Sequence, residues 1–190
     1  LNKLIINETN SDKMKKLINA RSRKGDNLLT TFALSNNYSI LESLLEKGAN
    51  SKNRDIYGNN ILHNVLIGKL ATNNNVINCI SLFIKKCPDL IIQRNRKGKN
   101  PFMIAAEKGF NGVLSLMTTY YPVSILDSSP KKSVLHLAAK NNFPETIRFI
   151  VQKLHININL KSKKNYTPLH YAVLYGSLES FKELIELGAN

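Results

Sequence analysis

The sequence predicts an all-α chain, a solenoid of stacked helix-turn-helix units with projecting β-hairpin fingers. Three observations predict it. One short pattern recurs five times: Asn27-Leu28-Leu29-Thr30-Thr31-Phe32-Ala33, Asn60-Ile61-Leu62-His63-Asn64-Val65-Leu66, Asn100-Pro101-Phe102-Met103-Ile104-Ala105-Ala106, Ser133-Val134-Leu135-His136-Leu137-Ala138-Ala139 and Thr167-Pro168-Leu169-His170-Tyr171-Ala172-Val173. From the apolar third position of one copy to that of the next (Leu29, Leu62, Phe102, Leu135, Leu169) the steps are 33, 40, 33 and 34 residues. Such a period is the signature of repeat architectures. Each copy is also followed by an apolar stripe at helical spacing: Ile40, Leu41, Leu44 and Leu45; Ile80, Phe83 and Ile84; Ile147, Ile150 and Val151.

Within a copy, the polar residue at the head caps a first helix, and Pro at the first helical position loses no N–H that the helix needs. Thr167-Pro168 is the clearest start. Small residues at Ala105, Ala106, Ala138, Ala139 and Ala172 let neighbouring first helices approach, while the second helix carries the wider apolar face. A glycine such as Gly48 then takes the left-handed conformation that ends the helix. Each unit alone leaves an apolar face open, so stability comes from stacking. The second copy carries about six extra residues between Leu66 and Cys79, from Gly68-Lys69 through Asn73-Asn74-Asn75, expected to enlarge one loop or extend the first helix.

These residues resemble the ankyrin repeat family, whose repeat has a Thr-Pro-Leu-His-x-Ala core and ends in Gly-Ala-Asp or Gly-Ala-Asn. Gly48-Ala49-Asn50 and Gly188-Ala189-Asn190 match that ending. The resemblance covers residues 21–190, with repeats near 25–57, 58–97, 98–130, 131–164 and 165–190; residues 1–20 read as a degenerate N-terminal repeat or cap. The third repeat departs from the pattern, with Tyr120-Tyr121-Pro122 for its ending and Met103 for the family histidine. The fourth has Lys131 at the turn glycine and Leu154-His155-Ile156-Asn157 at its end, so irregular hairpins are expected there. A start at Leu1 without methionine and an end inside the repeat pattern lead us to expect an excerpt of a longer chain.

Little in the sequence carries chemistry. His63, His136 and His170 sit about one repeat or more apart rather than converging, and the resemblance implies a structural histidine that hydrogen-bonds backbone between repeats. His155 lacks neighbours with metal-ligand spacing, and Cys79 and Cys87, eight apart, fit neither a zinc knuckle nor a redox pair. Cys79, on an apolar stripe, is expected to be buried; Cys87, beside Pro88, more accessible. With no phosphate loop, nucleophile elbow or carboxylate pair, we expect no catalytic residue, metal or cofactor in this segment. Two cysteines favour a reducing, cytoplasmic setting, and no apolar stretch suggests a membrane span.

The net charge is +14, and it is uneven. The fingers, taken as 21–27, 51–60, 93–100, 127–133 and 160–167, hold Arg21, Arg23, Lys24, Lys52, Arg54, Arg94, Arg96, Lys97, Lys99, Lys131, Lys132, Lys161, Lys163 and Lys164, against the acids Asp26, Asp55 and Asp127. Fingers of successive repeats line up, so these side chains are expected to form a basic ladder beside a concave face. The plain alternative is that exposed turns collect lysine, helped by the Asn, Lys and Ile usage of AT-rich coding. The ankyrin resemblance implies a scaffold whose concave face, built from first helices and fingers, docks another protein; we expect a monomer and a partner with an acidic surface. Arg94, Arg96, Lys97 and Lys99 are its densest cluster, and Tyr38, Tyr57 or Tyr175 are its candidate apolar anchors. The alternatives are a targeting arm of a larger enzyme and nucleic-acid binding. Resemblance to ankyrin proteins of AT-rich genomes, including effectors that intracellular bacteria deliver into host cytosol, fits the scaffold and the targeting arm alike. Nucleic-acid binding comes last because the fingers lack the interleaved aromatics that stack single strands.

Overall fold

The computed structural model describes residues 11–35, 37–68, 73–128 and 132–190. They fall into two compact units, Leu1–Lys97 and Gly98–Asn190. Among the described residues the regular elements are twelve α-helices and one 3-10 turn, with no strand.

In the first unit, α1 (Ser11–Ile18) precedes two helix pairs, α2 (Leu28–Leu34) with α3 (Tyr38–Glu46) and α4 (Ile61–Ile67) with α5 (Asn73–Lys86), and a 3-10 turn follows at Pro88–Ile91. First helix packs on first helix and second on second, α2 against α4 and α3 against α5. The predicted stripes point inward: Leu41, Leu44, Ile80, Phe83 and Ile84 are all buried. Full burial of a side chain such as Phe83 contributes about 1.5–3 kcal/mol. On α1, Met14 and Ile18 are buried, and the Asn19 carboxamide beyond it donates to Gly48 O (3.2 Å) and accepts from Asn50 N–H (2.7 Å).

The second unit contains α6 (Pro101–Lys108) with α7 (Asn111–Thr118), a single turn α8 (Val123–Leu126), then α9 (Val134–Lys140) with α10 (Pro144–Leu154) and α11 (Pro168–Leu174) with α12 (Leu178–Glu186). The first helices α6, α9 and α11 stack in that order. Ala105, Ala106, Ala138, Ala139 and Ala172 are all buried at these contacts, as their size predicts. Arg148 on α10 grips the buried carboxylate of Glu183 on α12 with two bonds, of 2.9 and 2.6 Å, tying second helix to second helix.

The insertion in the second repeat does not extend the first helix. Helix α4 keeps seven residues and stops at Ile67, where Gly68 leaves the helical region at φ −56° and ψ 148°; a β-carbon on Gly68 would come within 2.9 Å of Leu34 Cδ2. Residues 69–72 lie outside the described segments. Asn73 through Asn75 instead begin α5, which at 14 residues is the longest helix. In the third repeat α7 ends at Thr118, four residues before Pro122, which is the N-cap residue of α8, whose Leu126 is buried. At the end of the fourth repeat, His155 takes φ 54° and closes α10 in the place the family gives to glycine.

Candidate partner-binding surface

The fingers are built by one turn used repeatedly. In the first, Ser22 N–H donates to Asp26 O (2.8 Å) and Gly25 N–H to Ser22 O (2.9 Å); in the second, Asp55 N–H donates to Asn59 O (3.0 Å) and Gly58 N–H to Asp55 O (3.0 Å); in the fifth, Ser162 N–H donates to Tyr166 O and Asn165 N–H to Ser162 O, both 2.8 Å. This is a tight hairpin loop with a left-handed residue after the turn. One closed pair in each of these three fingers is too short to count as strand, so here the expected β-hairpins are present as turns without β-ladders. The opening side chain helps close the first three turns: Asp55 Oδ1 accepts from Tyr57 and Asn59 N–H (both 2.8 Å), Ser22 Oγ from Lys24 and Asp26 N–H, and Asn95 Oδ1 from Lys97 N–H. Gly25, Gly58 and Gly98 supply the left-handed position at φ 84°, 73° and 74°, and Asn165 fills it at 65° in the fifth finger. Asparagine is the non-glycine residue most suited to that region.

Each finger leads into a capped first helix. The cap asparagines of the first three repeats work in two directions. Their Oδ1 atoms accept from Thr30, His63 and Met103 N–H, and their Nδ2 atoms donate to a carbonyl at the start of the next finger: Asn27 to Asn50 O (3.1 Å), Asn60 to Leu90 O (2.8 Å), Asn100 to Leu126 O (2.7 Å). Where Gly-Ala-Asn is missing, the 3-10 turn at Pro88–Ile91 and helix α8 deliver that carbonyl. In the fourth repeat Ser133 is too short for this reach, and His136 takes it over. Its Nδ1 accepts from Ser133 N–H (3.2 Å) and its Nε2 bonds Tyr166 O (2.9 Å). His63 and His170 likewise bond their own caps, Asn60 and Thr167. Burial, with a smaller contribution from the Lys132 charge, lowers the pKa of His136 below its ordinary value, against hydrogen bonds to the carbonyls of Tyr166 and Leu160.

The predicted basic residues of the first unit divide into two kinds. Arg21 and Arg54 occupy one repeat position and bond backbone: Arg21 donates to Gly25 O and Arg54 O, and Arg54 donates to Arg94 O (2.9 Å) and Gln93 Oε1 (3.0 Å). They brace finger to finger. Arg94, next in that column, is half-buried. Arg23, Lys24, Lys52, Arg96 and Lys97 are exposed, and the ion pairs among the described residues include none of them. Adjacent fingers touch through backbone, Ile56 N–H donating to Lys24 O (3.1 Å) and Arg96 N–H to Tyr57 O (3.0 Å).

In the second unit the basic residues are less uniform. Lys99 pairs with Glu107, which offsets its charge. Lys132 is half-buried, with its Nζ 4.7 Å from the centre of the Tyr171 ring, and Lys140 stands likewise 4.6 Å over Tyr175. The two tyrosines are stacked at 6.2 Å. Tyr175 is half-exposed as expected for an anchor, Tyr171 buried. Lys161, Lys163 and Lys164 are exposed; Lys131 and the side chain of Tyr38 lie outside the described residues. Tyr166, Val173, Leu174, Leu178 and Ile185 are also exposed, an apolar surface on the last helix pair.

Two expectations need correction. The fingers do not lack aromatics, since Tyr57 and Tyr166 both lie in them and both are exposed. The four-residue cluster Arg94, Arg96, Lys97 and Lys99 is not one free patch, because Arg94 is half-buried and Lys99 is paired. The cysteines follow expectation: Cys79 is buried, which raises the pKa of its thiol, and Cys87 is partly exposed, 3.1 Å from Ser51 Oγ.

The same architecture is found by comparison. The family model for ankyrin repeats (three copies) matches residues 112–190. Alpha-latrotoxin-Lg1a of Latrodectus geometricus is 32% identical over 143 residues, which are 74% of this chain and 10% of that protein. Human Rabankyrin-5 is 28% identical over 153 residues, 78% of this chain and 12% of its own length, and the ankyrin repeat protein FPV031 of Fowlpox virus is 29% identical over 125 residues, 64% of this chain and 36% of its own. The chain spans about a tenth of the length of the alpha-latrotoxins it matches. No helix among the described residues is long and apolar enough to cross a membrane. Ankyrin repeats mediate protein–protein interaction and are typically non-catalytic. With five capped helix pairs at steps of 33, 40, 33 and 34 residues and the family match over residues 112–190, this chain belongs to the ankyrin repeat family.

Proposed function

We propose that this segment is a protein-binding module whose basic fingers dock an acidic surface of a partner. The observation that carries the reading is the division among the finger cations: Arg21 and Arg54 brace backbone, while Arg23 and Lys24 project from the first turn and Arg96 and Lys97 from the third turn of the first unit, with no carboxylate paired to them among the described residues. Like charges gathered this way raise the potential over the surface and favour an anionic partner in both affinity and encounter rate. The bracing arginines keep the turns in place, so the exposed cations are held rather than trailing.

The test compares capture from a cytosolic lysate by the native chain and by a variant with Arg23, Lys24, Arg96 and Lys97 all changed to Glu. A protein captured by the first and lost by the second, with equal melting temperatures, supports the reading. Equal capture by both overturns it and moves attention to the first-helix surface around Tyr175. A second reading, favoured by relatives much longer than the matched segment, is that the module targets an activity carried elsewhere in a longer protein. Fusing a reporter enzyme to the module and measuring its recruitment to the captured partner tests that.

A further inference from the structure

The three finger tips of the first unit are not chemically alike. At the two turn positions before the left-handed glycine, the first finger carries Arg23-Lys24, the second Ile56-Tyr57 and the third Arg96-Lys97. Ile56 is 44% exposed and Tyr57 59%, high values for side chains of that size. They are fixed between the basic tips, because Ile56 N–H is bonded to Lys24 O and Arg96 N–H to Tyr57 O. Asp55, the acid at this place, faces inward and accepts three bonds, from Tyr57 N–H, Asn59 N–H and Asn59 Nδ2, so it does not neutralise the rim. The result is one edge reading cation pair, apolar pair, cation pair.

Resting on the acidic-partner reading above, we propose that this rim recognises an extended acidic peptide in which an apolar or aromatic residue stands between two acidic clusters. Packed helices lie about 8–10 Å apart and an extended chain advances about 3.3 Å per residue, so successive tips correspond to about three residues of peptide. A Phe in the centre meets Tyr57 and Ile56, and acids about three residues to either side meet the dibasic tips. Apolar contact of this kind gives the register, since charge alone accepts any acidic run. A nucleic acid strand offers phosphates at every step and bases to stack, but the rim has a single aromatic, with an aliphatic Ile beside it, where strand binding relies on successive aromatics.

The experiment measures fluorescence anisotropy of the 190-residue chain with three labelled probes: the peptide Asp-Glu-Ser-Gly-Phe-Gly-Ser-Glu-Asp, a peptide of the same composition with Phe moved to the end, and a single-stranded RNA oligonucleotide. The centred peptide is expected to bind about tenfold tighter than the rearranged one. Tyr57→Ser and, separately, Ile56→Ser should abolish that difference and leave the rearranged peptide unaffected. Arg96→Glu with Lys97→Glu should weaken both peptides, at unchanged melting temperature. Equal binding of the two peptides, insensitive to both Ser variants, overturns the patterned rim and leaves the acidic-partner reading standing. Binding of neither peptide overturns both. Preference for the oligonucleotide, lost in Tyr57→Ser, assigns the rim to nucleic acid and overturns the proposal.

Discussion

Replacing Asn60 by Ala isolates the device that joins one repeat to the next. Asn60 is fully buried; its Oδ1 accepts from His63 N–H at the start of α4, and its Nδ2 donates to Leu90 O (2.8 Å) and Gln93 Oε1 (3.1 Å). Loss of a helix cap costs about 0.5–2 kcal/mol. Leaving the Leu90 carbonyl buried without its donor costs about 1–3 kcal/mol. The two losses together come to about 1.5–5 kcal/mol, which for a unit of fewer than 100 residues lowers the melting temperature by about 6–40 °C. Asn60→Ser separates the contributions, because a Ser hydroxyl caps the helix but does not span to the next finger; it should recover about 1 kcal/mol of the Ala loss. Thermal unfolding followed by circular dichroism, with denaturant titration for the free energies, measures both. A melting temperature for Asn60→Ala within a degree or two of native, or equal losses for Ala and Ser, refutes the two-way cap.

Three more outcomes are expected. His136 has its pKa depressed from the ordinary 6.5, chiefly by burial; the unfolded chain therefore binds the proton more readily, so the stability from neutral His136 is complete above that value and lost as pH falls through the lower folded value. The native melting temperature should thus fall more steeply below about pH 6.5 than that of His136→Asn, and superimposable profiles would rule the linkage out. Gly98→Ala places a side chain at φ 74° with open space around it, whereas Gly109→Ala at the same φ drives a β-carbon to 2.7 Å from the Phe143 ring; the first should cost about 1–2 kcal/mol and the second more, and equal losses by denaturant titration would show that the ring yields freely. The exposed Val173 and Leu174 (both 63%) should bind a hydrophobic dye, and changing both to Gln should reduce dye fluorescence without lowering the melting temperature; unchanged fluorescence locates the dye elsewhere.

The helical pattern was readable because each repeat writes its core in local spacing. The stripe Ile80, Phe83, Ile84 and the small Ala pairs follow the helical period, and burial did what that period predicts. The caps were harder. Asn27, Asn60 and Asn100 are legible as caps from their type and place, but their second bond, to a carbonyl 23 to 30 residues on, depends on how the next repeat packs. The substitute endings were obscure for the same reason: Pro88 and Pro122 read as helix stops, while the carbonyls of Leu90 and Leu126 are acceptors only once the neighbouring cap arrives. The candidate surface was legible in outline from the charge count. Aligning the turn glycines would have exposed Ile56-Tyr57 as the apolar tip among basic ones, a signal the charge count alone passes over.

The repeat, its helices, its turn chemistry and the excess of positive charge at the fingers follow from residues within a few positions of one another. Which of those charges are already paired is settled only by the fold in three dimensions. Arg21 and Arg54 look like Arg23 and Arg96 in composition, yet their guanidinium groups are taken up by carbonyls of the next finger, and Lys99 by Glu107. A side chain's partner is set by what lies within about 3 Å in space, and for Arg21 and Arg54 that neighbour comes from 33 and 40 residues away.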